Sequence, residues 1–278
     1  YFMNLSIAYS PCPNDTFIFD ALAHQKIDTE GLTFDIIHGD VETLNREAMD
    51  GKYDITKLSY HAFAYMSNQY QLLTAGSALG RGCGPLMISK DEIPRSKIEF
   101  CLIGIPGRLT TANFLMTLAF PEAATKKEMV FNEIENALLN DAIDIGLIIH
   151  ENRFTYIHKG LKKIIDLGEW WEKKYQLPIP LGGIVTRRDF EPELQLKINR
   201  VVKRSVEFAL ANPAQTMQYV RDHAQEMDEQ VMQQHIALYV NDFSVDLGEE
   251  GKAAISALYE VAAEKKIIPG MHYPLFVD

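Results

Sequence analysis

Cysteine is scarce in this chain, with three residues in 278: Cys12, Cys83 and Cys101. None stands in a CxxC or Cys/His spacing, which excludes the common zinc sites, and an odd number without a framework excludes a disulfide scaffold. Free thiols fit a reducing compartment, so a cytoplasmic protein is expected. Apolar runs are short, and none reaches the eighteen or so residues that a membrane-spanning helix needs. The opening residues, Tyr1-Phe2-Met3-Asn4, lack the basic region and apolar core of a secretory signal. Met3 is the expected native start, with Tyr1 and Phe2 foreign to it. Positive charge is in deficit: 27 Lys and Arg face 38 Asp and Glu, a net charge of -11. Such a chain carries no nucleic-acid footprint and is repelled by anionic membranes. An anionic substrate would therefore need a locally positive pocket. Internal repeats and low-complexity segments are absent as well.

What is present is an ordinary globular composition, 47% hydrophobic and 23% charged, over a length that allows one large domain or two of usual size. Strand and helix patterns alternate for about two thirds of the chain. Strands are expected at 5–9, 32–37, 53–58, 86–89, 100–105, 128–131, 144–149 and 161–165, and a further one within 178–186. Helices are expected at 16–24, after Asp40, through Ala62 to Met66, and at 113–118 and 134–139. From 193 onward the chain is helical: 193–212, a helix opened by Pro213, 228–239 and 248–265. Alternation of this kind predicts parallel sheets flanked by helices. Ligands of open α/β sheets bind beyond the carboxyl ends of the strands.

Those ends carry polar turns. Ser10-Pro11-Cys12-Pro13-Asn14-Asp15-Thr16 follows the first strand, with Asn14 or Asp15 placed to cap the next helix. Lys57-Leu58-Ser59 ends the third; Lys57 is either a surface residue or a buried cation facing a substrate carboxylate. Pro106-Gly107-Arg108-Leu109-Thr110-Thr111-Ala112 offers small residues, hydroxyls and helix-start N–H groups that suit a carboxylate. Gly146-Leu147-Ile148-Ile149 is an apolar run that stops at His150, followed by Glu151-Asn152-Arg153. His150 stands where a catalytic histidine belongs, and equally where a histidine would close a loop. Gly80-Arg81-Gly82-Cys83-Gly84-Pro85 has neither dinucleotide nor P-loop spacing and reads as a turn. Trp170 and Trp171 are adjacent on a short helix and read as packing beneath a pocket.

These motifs, together with Asp40-Val41-Glu42-Thr43-Leu44-Asn45 and Asp166-Leu167-Gly168-Glu169-Trp170-Trp171, resemble the 1,4-dihydroxy-6-naphthoate synthase family of the futalosine route to menaquinone, across essentially the whole chain. The resemblance implies an α/β fold of the periplasmic-binding-protein-like second type, two lobes with a ligand cleft between them. Lobe 1 would be 1–88 with 187–278 and lobe 2 would be 89–186. It implies a carbon–carbon lyase that converts cyclic dehypoxanthinyl futalosine to 1,4-dihydroxy-6-naphthoate and dihydroxyacetone, with no metal and no organic cofactor. The general base would be His150, and Asn45, Lys57, Leu58, Ser59, Thr111 and Ala112 would touch the substrate. Glu151, Asn152 or Arg153 would orient the imidazole, with a salt bridge as the other role for Arg153. A solute-binding protein for a small organic anion shares this fold, and a chorismate dehydratase is a sibling of the same pathway.

Overall fold

The computed structural model describes residues 3–224 and 228–278; the expectation for Tyr1 and Phe2 lies outside them. The chain divides into two compact units, one of Tyr1–Gly80 with Pro180–Asp278 and one of Arg81–Ile179.

The first unit opens with β1 (Met3–Tyr9), α1 (Pro13–Ala23), β2 (Leu32–His38), α2 (Val41–Met49), β3 (Ile55–Ser59), α3 (Tyr60–Met66), β4 (Tyr70–Leu72) and β5 (Ala78–Gly80). The second holds β6 (Leu86–Ser89), β7 (Ile103–Ile105), α4 (Thr111–Ala119), β8 (Lys126–Glu128), α5 (Ile134–Leu139), β9 (Ile145–Ile148), α6 (Asn152–Thr155), β10 (Lys162–Asp166) and α7 (Leu167–Tyr175). The chain returns through β11 (Ile179–Arg187) to α8 (Pro192–Ala211), α9 (Pro213–His223), α10 (Glu229–Tyr239), α11 (Asp242–Val245) and α12 (Gly248–Glu264).

The sheet of the first unit runs β2-β1-β3-β11-β4, with β5 also on β11. Its strands β2, β1 and β3 are parallel, whereas β11 is antiparallel to both β3 and β4. The second sheet runs β10-β6-β9-β7-β8. There β9, β7 and β8 are parallel, and β6 is antiparallel to both β9 and β10. The expectation of parallel sheets thus holds for β2, β1 and β3 and for β9, β7 and β8, and is corrected at β11 and β6. Apolar runs such as 86–89 and 145–148 show that a strand is buried on both faces, but hydrophobicity carries no sign of strand direction. The parallel strands still suffice to bring turns together within each unit. Tyr9 and Ser59 end on one edge of the first sheet, and Ile105 and Ile148 on one edge of the second.

Three element boundaries also move. The strand expected at 100–105 keeps only 103–105, because residues 95–100 form a 3-10 helix whose last member, Phe100, is 79% exposed. The strand expected at 128–131 lies earlier, at the polar Lys126-Lys127-Glu128, and Phe131 opens a short helical turn. An edge strand can be charged, so apolar content points past it. Helix α1 begins at Pro13, with Cys12 at the N-cap position, and Asn14 and Asp15 fall inside its first turn. Proline suits that place because the first helical N–H has no partner to lose. Asp40, by contrast, caps α2 as expected, accepting from the N–H groups of Glu42 and Thr43.

The first core combines β1, α1 and the returning helices. Ile7, Phe19 and Leu22 pack with Ile198, Val201, Val202 and Val206, whose spacing puts them on one face of α8. The Ser205 hydroxyl donates to the Ile18 carbonyl at 2.6 Å and accepts from the Leu22 N–H, tying α8 to α1. The second core gathers Leu86, Ile88, Ile134, Leu138 and Ile148 around β6, β9 and α5.

Candidate functional site

In the first unit the polar residues form two buried groups at the carboxyl edge of the sheet. Lys57 and Ser59 lie two apart on β3, so their side chains share a face, and Leu58 points to the opposite one. The Lys57 ammonium donates to Asp15 Oδ1 at 2.5 Å, with both residues buried. The same carboxylate accepts from Asn14 Nδ2 at 2.8 Å and from the Ser10 hydroxyl at 2.7 Å. Asn14 Oδ1 in turn meets His235 Nε2 of α10 at 2.8 Å. Ser59 starts the second group: its N–H donates to Asn45 Oδ1 at 3.0 Å, and Asn45 Nδ2 donates back to its hydroxyl at 3.1 Å. Asn45 is fully buried on α2.

Of the residues expected here, Asn45 and Ser59 are thus brought into direct contact. Lys57 is a buried cation, but its charge is already matched by Asp15. Sequence reasoning placed Asp15 only as a helix cap. The available signal was a lysine inside an apolar strand, which requires a counter-charge somewhere. Tyr9 ends β1 nearby, its hydroxyl 2.7 Å from that of Tyr219. Burial first, and then Tyr219, push the Tyr9 hydroxyl far above the usual phenol range, so it stays neutral. Burial, with His223 next, pushes His38 down toward its neutral form.

In the second unit β7 leads into a turn in which Gly107 adopts φ 148°, a conformation that side-chain-bearing residues rarely enter. Thr110 caps α4, accepting from Asn113 N–H through a hydroxyl that donates to the Gly107 carbonyl at 2.8 Å. Thr111 and Ala112 then form the first turn of α4, both nearly fully buried. Lys126 donates to Asn113 Oδ1 at 3.0 Å and to the Thr117 hydroxyl at 2.7 Å, and burial first, then Arg108, pull its pKa down.

Strand β9 is buried at all four positions and delivers His150, half-buried, just past its carboxyl end. The Phe131 ring meets the imidazole edge to face, centroids 5.0 Å apart. His150 has φ 57°, in the left-handed region. Among the described residues five other non-glycine residues do so too, but Gln25, Asp141, Gln176 and Lys266 follow helices, where a left-handed cap is common, and Glu30 lies in a turn. His150 alone among them follows a strand. Such a conformation costs about 1–2 kcal/mol and persists where the surroundings over-determine it.

The three residues after His150 divide their roles. Arg153 donates to Asp166 Oδ2 at 2.6 Å and to the Gly84 carbonyl, so it forms the salt bridge that was one of its two expected roles. Asn152 donates to Glu135 Oε2 at 2.6 Å. Glu151 is buried beside the histidine.

The glycine-dense turn at 80–85 has a packing explanation. A methyl group on Gly84 would overlap the backbone nitrogen and Cα of Gly168, and one on Gly168 would lie 2.7 Å from Gly84 Cα. Two backbones pass here without side chains, bringing the Gly84 carbonyl to Arg153 and leaving Asp166 to cap α7. Gly84→Ala is expected to lower the unfolding free energy by about 3 kcal/mol, the upper end for overpacking, because backbone cannot move aside as a side chain can. Urea denaturation measures this, and a change under about 1 kcal/mol would show the approach to be slack.

Burial pushes the Cys83 thiol up to about 12 and raises that of Cys101 as well, which disfavours the nucleophilic thiolate at those two positions. Trp171 is fully buried, donating to the Pro178 carbonyl at 3.2 Å, and Trp170 carries Lys174 over its ring.

The family described as menaquinone biosynthesis matches residues 5–264. A Thermus thermophilus protein named 1,4-dihydroxy-6-naphthoate synthase is 42% identical over 273 residues, covering 98% of this chain and 99% of its own. A Streptomyces coelicolor protein of the same name is 41% identical over 272 residues, covering 96% and 95%. A crystal structure of a protein from Archaeoglobus fulgidus superposes with a TM-score of 0.90 at 37% identity, over 95% of this chain and 98% of that one. The alkanesulfonate-binding protein of Xanthomonas axonopodis pv. citri superposes at 0.71 with 9% identity, over 96% and 94%, a likeness of fold alone. The fold is accordingly the two-sheet, periplasmic-binding-protein-like α/β architecture. No helix among the described residues is long and apolar enough to cross a membrane. Identity above 40% along nearly the full length of two such relatives, on a shared fold, means that the chain belongs to the menaquinone-biosynthesis family of 1,4-dihydroxy-6-naphthoate synthases.

Proposed function

We propose that this enzyme of menaquinone biosynthesis is a carbon–carbon lyase that cleaves cyclic dehypoxanthinyl futalosine to 1,4-dihydroxy-6-naphthoate and dihydroxyacetone, with His150 as the general base. The observation that carries the reading is His150 itself: a half-buried imidazole past a buried strand's carboxyl end, in a left-handed conformation between β9 and the cap of α6. Cleavage of the retro-aldol kind requires a base to take a hydroxyl proton as the carbon–carbon bond breaks. The electron pair released is absorbed by the ring that becomes aromatic. An ordinary histidine, with a pKa near ~6.5, is largely neutral at pH 7 and able to accept that proton.

The developing negative charge needs donors in fixed positions. The first-turn N–H groups of Thr111 and Ala112 on α4 fit that need, as do the Ser59 hydroxyl and its partner Asn45. Lys57, held by Asp15, would contribute a donor more than a net charge. Leu58 would act through its main chain, since its side chain lies on the other face of β3.

Purified protein given cyclic dehypoxanthinyl futalosine is expected to release the naphthoate and dihydroxyacetone, read by mass. Absence of turnover by folded protein overturns the proposal. Turnover of chorismate instead would reassign the chain to the sibling dehydratase, and tight binding of a small anion without turnover would favour the solute-binding reading.

A further inference from the structure

We propose that Glu135 is a positioning residue for His150, acting through Asn152; the inference rests on His150 being the base. Glu135 is the second residue of α5 and is 1% exposed. Its Oε2 accepts from Asn152 Nδ2 at 2.6 Å and from Lys159 Nζ at 2.6 Å, while Oε1 has no hydrogen-bond partner among the described residues. A buried carboxylate with one oxygen unpartnered is costly, and packing alone would be met at lower cost by an apolar side chain. What the carboxylate does here is hold Asn152, two residues beyond the imidazole.

The turn needs such a hold. His150 occupies a left-handed conformation two residues past the end of β9, and a peptide in that state relaxes unless its continuation is fixed. Asn152 fixes it on one side, against α5, and Arg153 fixes it on the other, against Asp166 at the end of β10. Asp166 also caps α7 through its Oδ1, so its loss would disturb more than this turn. The Glu135–Asn152 link has no second duty of that kind, and Lys159 neutralises the carboxylate from the half-exposed side.

The test compares kcat and KM for Glu135→Ala, Asn152→Ala, their double, and Glu135→Gln. Each alanine variant is expected to lower kcat by about 10–100-fold, the range for a misplaced catalytic group, with KM changed by less than about twofold. The double is expected to be no slower than the worse single, because both cut one link. Glu135→Gln keeps a carbonyl that accepts from Asn152 and is expected to stay within about threefold of wild type. If Glu135→Ala fails to fold, Asn152→Ala breaks the same link and leaves the Lys159 ion pair in place. A raised KM with unchanged kcat, additive losses in the double, or a glutamine variant as slow as the alanine variant would overturn the inference.

The His150→Gln background separates the two readings. Asn152→Ala should have no further effect there, because the group it positions is already gone. If His150→Gln is slow but Asn152→Ala slows it again by the factor seen in wild type, the positioning role falls and the base stands. If His150→Gln turns over at the wild-type rate, the base itself falls.

Discussion

His150→Gln is expected to fold and to lose roughly 10²–10⁴-fold in kcat, about 3–5 kcal/mol of barrier, with little change in KM. Glutamine keeps a polar side chain of similar reach but cannot take a proton at neutral pH. It must also accept φ 57°, which histidine tolerates better than most residues, so a stability loss of up to about 1 kcal/mol is expected. That corresponds to only a few degrees in Tm for a chain of this size. The contrast between a large loss in rate and a small loss in stability is the signature to look for. His150→Ala provides a second reading, because it opens space beside Phe131. Added imidazole should then restore part of the rate, and more of it at a pH where imidazole is neutral. A folded glutamine variant that works at the wild-type rate removes the assignment. A loss confined to KM would make His150 a binding residue.

Within each unit the polar turns were legible because each lies where a strong local signal breaks. An apolar run ends at His150, Thr110 has the hydroxyl that caps a helix, and Asp40 precedes a helix and caps it. What could not be read is whatever depends on which segments become neighbours. Asp15 and Lys57 are far apart in sequence, as are Glu135 and Asn152, and no periodicity joins them. Strand direction is hidden for the same reason. Residues 86–89 have the apolar content of a parallel core strand, but they pair antiparallel to both neighbours. Phe100 shows the opposite failure: an aromatic residue next to an apolar run reads as its first member, though it ends a 3-10 helix and faces solvent. The spacing of the glycine turn at 80–85 matches neither nucleotide-binding motif, so it reads as a turn. Its actual cause, the approach of Gly168, involves a residue more than eighty positions away.

Asp15→Ala is expected to be the most destabilising single change at the site, by about 3–5 kcal/mol in denaturant unfolding. The reason is an asymmetry in how the two charges are satisfied. Asp15 has three side-chain donors, Lys57, Asn14 and Ser10, and a longer bond from the Ser10 N–H at 3.3 Å. The hydrogen bond found for Lys57 among the described residues is the one to Asp15. Removing the carboxylate leaves an ammonium in a position that is 8% exposed, with nothing to offset its lost hydration. Removing the ammonium leaves a carboxylate still held by neutral donors. Lys57→Met is therefore expected to cost less, about 1–3 kcal/mol, since methionine fills much of the same volume. The double variant should be more stable than Asp15→Ala alone by about 1–2 kcal/mol, because it removes the stranded charge. Equal losses in the two single variants, or additive losses in the double, would show that Lys57 finds solvent or another acceptor when Asp15 is gone. The same asymmetry carries over to substrate. If Lys57 reaches a substrate oxygen while Asp15 holds it, Lys57→Met raises KM in a protein that remains folded. A lysine that serves only Asp15 leaves KM where it was.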